Sequence, residues 1–277
     1  MSQPLLPSDC PRATNIPMLG LGTWKNSDPE ECAESVATAL EMGYRHIDTA
    51  QAYGNEAAVG AGIERSAVDR EDVFVATKVW IDNLAPDDVL SSTEASLDRL
   101  GLECVDLLYV HWPARTYDPD ATIGAFNGLV DDGLTRAIGV SNFEPDQLAE
   151  AVERSAAPIL ANQIEIHPLL RQEAIREACA ELGVEPVAYS PLARGDVFDV
   201  PELQSIGDAH DASAAQVALA WLRQSGITAI PKATGETHIR ENWASLAVSL
   251  TADELERIDG IDRTDRKVDP GFGPWNA

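Results

Sequence analysis

Asp48, Tyr53, Lys78 and His111 are the side chains whose types and settings could do chemistry together. Lys78 follows the apolar run Val73-Phe-Val-Ala-Thr77, so its ammonium is partly buried. A buried lysine needs a carboxylate partner or loses its proton. Asp48 closes the neighbouring short run and can serve as that partner. On those two residues alone, a structural salt bridge is the simpler reading. Tyr53 lies in the loop beyond Asp48, and His111 ends the run Leu107-Leu-Tyr-Val110. Singly, these are an ordinary loop aromatic and a core histidine. Together the four make a proton donor. A free phenol, with a pKa of about 10, exchanges protons poorly at neutral pH. An adjacent ammonium stabilises the phenolate and brings that value toward the working range.

Such groups must be brought together by the chain. Short apolar runs at Met18–Thr23, Arg45–Asp48, Val73–Lys78, Val105–His111, Arg136–Asn142, Leu160–Glu165, Val184–Ser190 and Thr228–Lys232 read as strands. They are separated by helical patterns, which predicts a parallel sheet buried on both faces. Eight such units fit a closed (β/α)8 TIM barrel, an α/β fold, better than an open sheet. Helix starts are written at Asp28-Pro29 with Glu31, Ser213 with Gln216, and Thr251 with Glu254. Pro86 and Pro145 suit first helical turns, and Gly43 ends the first helix. Ala13–Pro17 reads as a short hairpin closing the barrel floor, and the C-terminal tail is short. Gly20-Leu-Gly22-Thr-Trp-Lys25 begins like a dinucleotide-binding fingerprint, but Lys25 occupies the third glycine position, so that motif fails.

A barrel packs its interior with branched apolar side chains and carries its site on the C-terminal rim. Here the predicted strands end in Asp48, Lys78, His111, Ser141-Asn142, Gln163 and Glu165, Tyr189-Ser190, and Pro231-Lys232. Polar strand ends are common one at a time. Their coincidence on seven strands predicts one rim pocket.

Composition narrows the function classes. The 277 residues suit one barrel domain, residues 1–277, and 44% hydrophobic content is too high for a disordered chain. No apolar run reaches the ~18 residues of a membrane span, and Met1–Pro11 lacks the pattern of a secretory signal. Cys10, Cys32, Cys104 and Cys179 form no CxxC pair, which suggests neither a disulfide framework nor a zinc site. Forty-six acidic residues against twenty basic ones give a formal net charge of −26, which repels nucleic acid and anionic lipid. At molar salt the Debye length falls to ~3 Å and self-repulsion fades. With only four lysines (Lys25, Lys78, Lys232, Lys267), the composition points to the cytoplasm of a salt-adapted organism.

The ordered motifs carry a resemblance. Gly22-Thr-Trp24, Asp48-Thr-Ala-Gln-Ala-Tyr53, Ala76-Thr-Lys78-Val-Trp80 and Leu107-Leu-Tyr-Val-His111-Trp112-Pro113 are followed by four more. These are Gly139-Val-Ser-Asn-Phe143, Asn162-Gln163, Ala188-Tyr-Ser-Pro-Leu192 and Ile230-Pro-Lys232. The series resembles the aldo-keto reductases, running in order over about residues 16–243. The tail Asp269-Pro-Gly-Phe-Gly-Pro-Trp275 is similar to that of prokaryotic members like the 2,5-diketo-gluconate reductases.

The resemblance implies reduction of a small aldehyde or ketone by NADPH and/or NADH, without a metal, in a monomer. It makes Tyr53 the general acid, Lys78 and Asp48 its tuning pair, and His111 the group that orients the carbonyl. Ser141, Asn142 and Gln163 would hold the nicotinamide amide, with the ring on Tyr189. Gly22, Thr23, Ser190, Leu192 and backbone near Arg194 would meet the cofactor, and Trp24, Trp80 and Trp112 would wall the substrate pocket. At the adenosine end Lys232, Glu241 and Asn242 are in place. Ala233 and His238 stand where the family carries a serine and an arginine that grip the 2′-phosphate. Thr234 or Arg240 would have to compensate. This implies use of both cofactors with a weakened NADPH preference.

Two competing readings are a nicotinamide-binding regulatory or redox-sensing barrel and a metal-dependent hydrolase built on His46, His111 and His167. The complete catalytic set weighs against the first. The lack of HxH or HExxH spacing weighs against the second.

Overall fold

The computed structural model describes residues 5–276, so the first four residues of the Met1–Pro11 stretch lie outside it. The chain opens with a hairpin, β1 (Arg12–Ala13) antiparallel to β2 (Ile16–Pro17). Eight parallel strands follow: β3 (Leu21–Gly22), β4 (His46–Asp48), β5 (Phe74–Val79), β6 (Leu107–Val110), β7 (Ile138–Ser141), β8 (Ile159–Glu165), β9 (Glu185–Tyr189) and β10 (Thr228–Ala229). Between them run α1 (Pro29–Met42), α2 (Glu56–Arg65), α3 (Pro86–Leu100), α4 (Pro119–Asp131), α5 (Pro145–Arg154), α6 (Glu173–Leu182), α7 (Pro201–Ala209) and α8 (Ala214–Gln224). Two more helices, α9 (Glu236–Ala244) and α10 (Ala252–Asp259), precede the tail. The strands lie side by side in chain order, and parallel bridges Leu19↔Ala229 and Gly22↔Lys232 join the first strand to the last. This is the (β/α)8 barrel that the alternating pattern predicts.

Each predicted strand is present, but the first and last are short. They form the seam of the cylinder, where Pro231 has no N–H to donate. Contact there runs through Ala229 N–H to Met18 O (2.9 Å), Gly20 N–H to Ala229 O (2.9 Å) and Gly22 N–H to Pro231 O (3.1 Å). A side chain at Gly22 would place its Cβ 2.6 Å from Ile230 O, and one at Gly20 would meet the His46 ring at 2.8 Å. The two glycines of the failed fingerprint therefore close the barrel.

Strand parity sets what lies inside. Phe74, Ala76, Leu107, Tyr109, Ala161 and Val187 point to the axis, and Ile16 of the hairpin joins them from below. Val75, Leu108, Val110, Val140 and Ile164 point outward to the helices. Gly139 makes room for Tyr109, whose ring would lie 2.5 Å from an added Cβ.

The helix starts follow local chemistry. Ser213 with Gln216 and Thr251 with Glu254 form reciprocal capping boxes. At α1 the box is half made: Asp28 accepts from Glu31 N–H at 2.9 Å, while the Glu31 side chain turns to solvent. Trp221 and Trp243 are core residues, the first donating to Asp259 Oδ1 at 2.9 Å and the second packed on Tyr44 at 4.8 Å. No helix among the described residues is long and apolar enough to cross a membrane.

Close helix approach yields a stability test. A Cβ on Gly60 of α2 would sit 2.2 Å from Leu100 O at the end of α3. Forcing atoms into a packed contact costs ~1–3 kcal/mol. Gly60→Ala is expected to lower the thermal midpoint by ~2–10 °C, measured by calorimetry. An unchanged midpoint would show that the two helices are free to separate.

Candidate active site

The rim side of the same inward parity carries polar residues. Asp48 ends β4, Lys78 lies on β5, His111 follows β6, Ser141 ends β7, Gln163 lies on β8 and Tyr189 ends β9. All face a cavity of about 750 Å3 except Lys78, which lies fully buried behind Asp48 and Tyr53. Gly22, Trp24, Tyr53, Trp80, Trp112, Ser190, Leu192, Arg194 and Lys232 complete much of its wall.

Lys78 is the centre of the arrangement. Its Nζ donates to Asp48 Oδ1 at 2.5 Å, to Thr49 O at 2.8 Å and to the Tyr53 hydroxyl at 3.4 Å. All three ammonium donors are therefore used, which is what burial of the charge requires. Asp48 is buried as well, and its Oδ2 accepts from Gln163 Nε2 at 2.7 Å. Glu56 of α2 places a second carboxylate behind the lysine, itself held by Thr77 Oγ1 (2.6 Å) and Arg99 (2.6 Å). Neither Glu56 nor the Gln163–Asp48 bond is apparent in the sequence. The inward parity of Gln163 relative to Asp48 was the available signal.

Tyr53 sits on the 3-10 turn Gln51–Tyr53, which ends on Gly54 in the left-handed region (φ 67°). Gln51 ties this turn to the next loop, accepting from Trp80 N–H at 3.0 Å. The Tyr53 ring meets His111 edge-on, with centroids 5.9 Å apart, and Trp80 meets His111 in the same way at 5.1 Å.

The electrostatics correct one expectation. Burial first, then the Asp48 charge and Tyr189, push the Tyr53 phenol well above its ordinary value rather than down toward neutrality. Lys78 works against this, but burial also pulls the ammonium's own pKa down despite Asp48. The phenol is thus held protonated. Burial, reinforced by Lys78, keeps the His111 imidazole well below its usual value, hence neutral, with Nδ1 buried and without a partner.

The residues expected at the nicotinamide amide are tied to one another. Ser141 Oγ donates to Gln163 O (2.7 Å), and Asn142, at φ 63°, donates to His111 O (3.1 Å) and accepts from Tyr189 Oη (2.7 Å). Thr23 is not on the cavity wall: it is fully buried and its hydroxyl donates to Asp48 O at 3.0 Å. Ala233, Thr234, His238, Glu241 and Asn242 also lie beyond the cavity lining. Ala233 and Asn242 are buried, and the exposed His238 pairs with Glu241 at 3.3 Å. Thr234 Oγ1 stands 3.4 Å from Lys232 Nζ, whereas Arg240 is taken up by Glu236. Thr234, then, is the residue placed to assist Lys232.

The tail supplies wall that motif reading leaves out. Val268, Pro270 and Phe272 line the cavity, and Phe272 lies edge-on to Trp80 (6.3 Å) and Trp112 (5.4 Å). The hydrolase arrangement is not assembled. His46 sits at the barrel floor beside Pro17 O, and His167 pairs with Glu165. No group of three or more His, Cys, Asp or Glu among the described residues is placed to hold a metal ion.

Comparison with known proteins agrees with this geometry. The profile of the Aldo/keto reductase family matches residues 18–263. A 9,11-endoperoxide prostaglandin H2 reductase of Trypanosoma cruzi is 40% identical over 92% of this chain and 90% of that protein. A glyoxal reductase of Bacillus subtilis is 39% identical over 91% of each. Among solved structures, an aldose reductase from Schistosoma japonicum superimposes with a TM-score of 0.89 at 31% identity, covering 93% of this chain and 92% of the other. A structure described as a candidate 2,5-diketo-D-gluconic acid reductase B gives 0.90 at 40% identity, covering 94% and 92%. The chain belongs to the aldo/keto reductase family.

Proposed function

We propose that this chain reduces aldehydes and ketones to alcohols with a reduced nicotinamide cofactor, NADPH or NADH, and that Tyr53 is the proton donor. The observation that carries the reading is the buried line Asp48–Lys78–Tyr53, with contacts of 2.5 and 3.4 Å, opening beside His111 onto a large cavity. The substrates named for the relatives, such as glyoxal, belong to the class that this pocket suits.

The cavity fits a dinucleotide. Its 750 Å3 exceeds what a small carbonyl needs, and its wall carries Lys25, Arg194 and Lys232. None of the three pairs with a carboxylate among the described residues, in a chain with 46 acids and 20 bases. Cations left free in so acidic a chain suit the phosphates of a cofactor. Tyr189 would carry the nicotinamide ring and Ser141, Asn142 and Gln163 its amide, with Gly22, Ser190 and Leu192 toward the pyrophosphate. When bound, the reduced cofactor supplies a hydride to the carbonyl carbon.

The remaining work falls to the chain. Trp24, Trp80 and Trp112 exclude water and offer apolar surface to the substrate. His111, neutral, donates a hydrogen bond from Nε2 to the carbonyl oxygen and sets its orientation. Tyr53 gives its proton to the same oxygen as negative charge develops there. The phenolate left behind is stabilised by the Lys78 ammonium, which Asp48 holds charged and oriented. Because burial keeps the phenol protonated, the acid is ready at neutral pH.

Three outcomes follow from this geometry. Tyr53→Phe is expected to lower kcat at least about a hundredfold while cofactor affinity and thermal midpoint stay unchanged. A variant that still turns over, or a wild type that binds nicotinamide without turnover, would favour the sensing alternative. A phenol raised above its usual value must deprotonate before the acid is lost. The kcat for reduction should therefore stay level through neutral pH and fall only in the alkaline range, as read from a pH–rate profile. At the 2′-phosphate, two charge-assisted contacts of ~1.5–3 kcal/mol each are reduced to the pair Lys232 and Thr234. NADPH preference in kcat/KM is expected to stay below about a hundredfold, and His238→Arg should raise it by tightening NADPH alone.

A further inference from the structure

Glu165 is the one inward carboxylate of the rim that proton donation does not use. Its side chain is 0% exposed. Oε1 accepts from the Lys267 amide at 2.7 Å and from His167 Nε2 at 3.0 Å, and Oε2 accepts from the Val268 amide at 2.8 Å. Two consecutive backbone amides of the tail are thus fixed by one buried side chain. The next tie upstream is Asp265 N–H to Leu169 O at 2.8 Å. Downstream of the anchor the chain reaches Val268, Pro270 and Phe272, all on the cavity wall. Trp275 then packs on Trp112 at 5.6 Å, under the Arg266 guanidinium at 3.7 Å.

The other polar ties of the tail are of a different kind. Lys267 Nζ contacts Asp196 and Asp265 (2.8 Å), and Arg263 contacts Asp196 (3.2 Å) and Asp265 (3.0 Å). These carboxylates are 30–38% exposed. Such pairs hold weakly and fade as salt screens them. The bonds to Glu165 are buried and are screened far less.

We propose that Glu165 is a positioning residue for the carbonyl pocket. By holding the amides of Lys267 and Val268 it fixes Phe272 as a rigid wall beside Trp80 and Trp112, so that substrates with an aromatic or bulky apolar body are favoured. The proposal rests on the carbonyl-reduction reading for its substrate. A wall that moves freely must be ordered when substrate binds, which weakens binding without touching the proton donor. The effect therefore belongs in KM and grows with the part of the substrate that reaches the tail.

Glu165→Gln keeps the size of the side chain but turns one acceptor oxygen into an amide nitrogen facing a donor. Phe272→Ala removes the wall and leaves the anchor. Steady-state kinetics with saturating reduced nicotinamide would compare benzaldehyde with glyoxal. Each variant is expected to raise KM for benzaldehyde about tenfold, the scale of a phenyl group's lost burial, with a smaller rise for glyoxal and kcat moving much less. The double variant should be no worse than Phe272→Ala, because the anchor acts through that wall. Trypsin, followed by mass spectrometry of cleavage after Arg266 and Lys267, should cut Glu165→Gln about tenfold faster than wild type if the amides are released. Additive losses in the double variant, or an unchanged benzaldehyde KM in Glu165→Gln, would overturn the proposal. A wild type inactive on both carbonyls with either nicotinamide overturns the carbonyl-reduction reading and the pocket role with it; the trypsin rates still decide the anchor on their own.

Discussion

Burying a lysine and an aspartate together inside a barrel is expensive, and the surrounding structure is arranged to make it possible. Each ion loses several kcal/mol of hydration, which only good geometry and further hydrogen bonds offset. Lys78 meets this requirement with three acceptors, one of which is the Tyr53 hydroxyl. Asp48 meets it with Lys78 on one oxygen and Gln163 on the other, drawn from opposite parts of the cylinder. The pair therefore ties β4, β5 and β8 together across the axis. Removing either partner would leave the other charge buried and alone, so stability and proton donation depend on the same contact.

The barrel serves that contact through parity and closure. With a period of two, inward positions alternate between packed apolar layers and polar strand ends, so Leu107, Tyr109 and His111 form one column. Closure brings β10 against β3, where Gly20 and Gly22 let the backbones approach. The seam places Lys232 beside Gly22 at the cavity edge, and the tail returns across the rim to complete the wall.

Much of this was legible in the residues. The strand runs, the capping residues, the acid–lysine pair and the phenol could be read because each is local, or follows from a strand ending at a rim. Other features depended on distances between remote parts of the chain. The use of Gly20 and Gly22 at the seam is invisible until the first and last strands meet. Gln163 was expected to face the nicotinamide amide, and its bond to Asp48 follows only from the register of β8 against β4 across the barrel. Thr23 was expected at the cofactor, but its hydroxyl turns inward to Asp48 O. The direction of the Tyr53 shift was misjudged because a sequence shows the neighbouring ammonium but not the depth of burial that outweighs it. Arg240 and Thr234 were indistinguishable as helpers of Lys232 until the ion pair of Arg240 with Glu236 was located.

The account stands or falls on whether the Lys78 ammonium steadies the Tyr53 phenolate. An ultraviolet difference titration of the wild type against Tyr53→Phe, repeated in a Lys78→Met background, isolates the ionisation of that one phenol. The account predicts a midpoint that lies distinctly lower with Lys78 present than without it. Equal midpoints in the two backgrounds would mean that the buried ion pair does not act on the tyrosine, and the proton-donor assignment would fall.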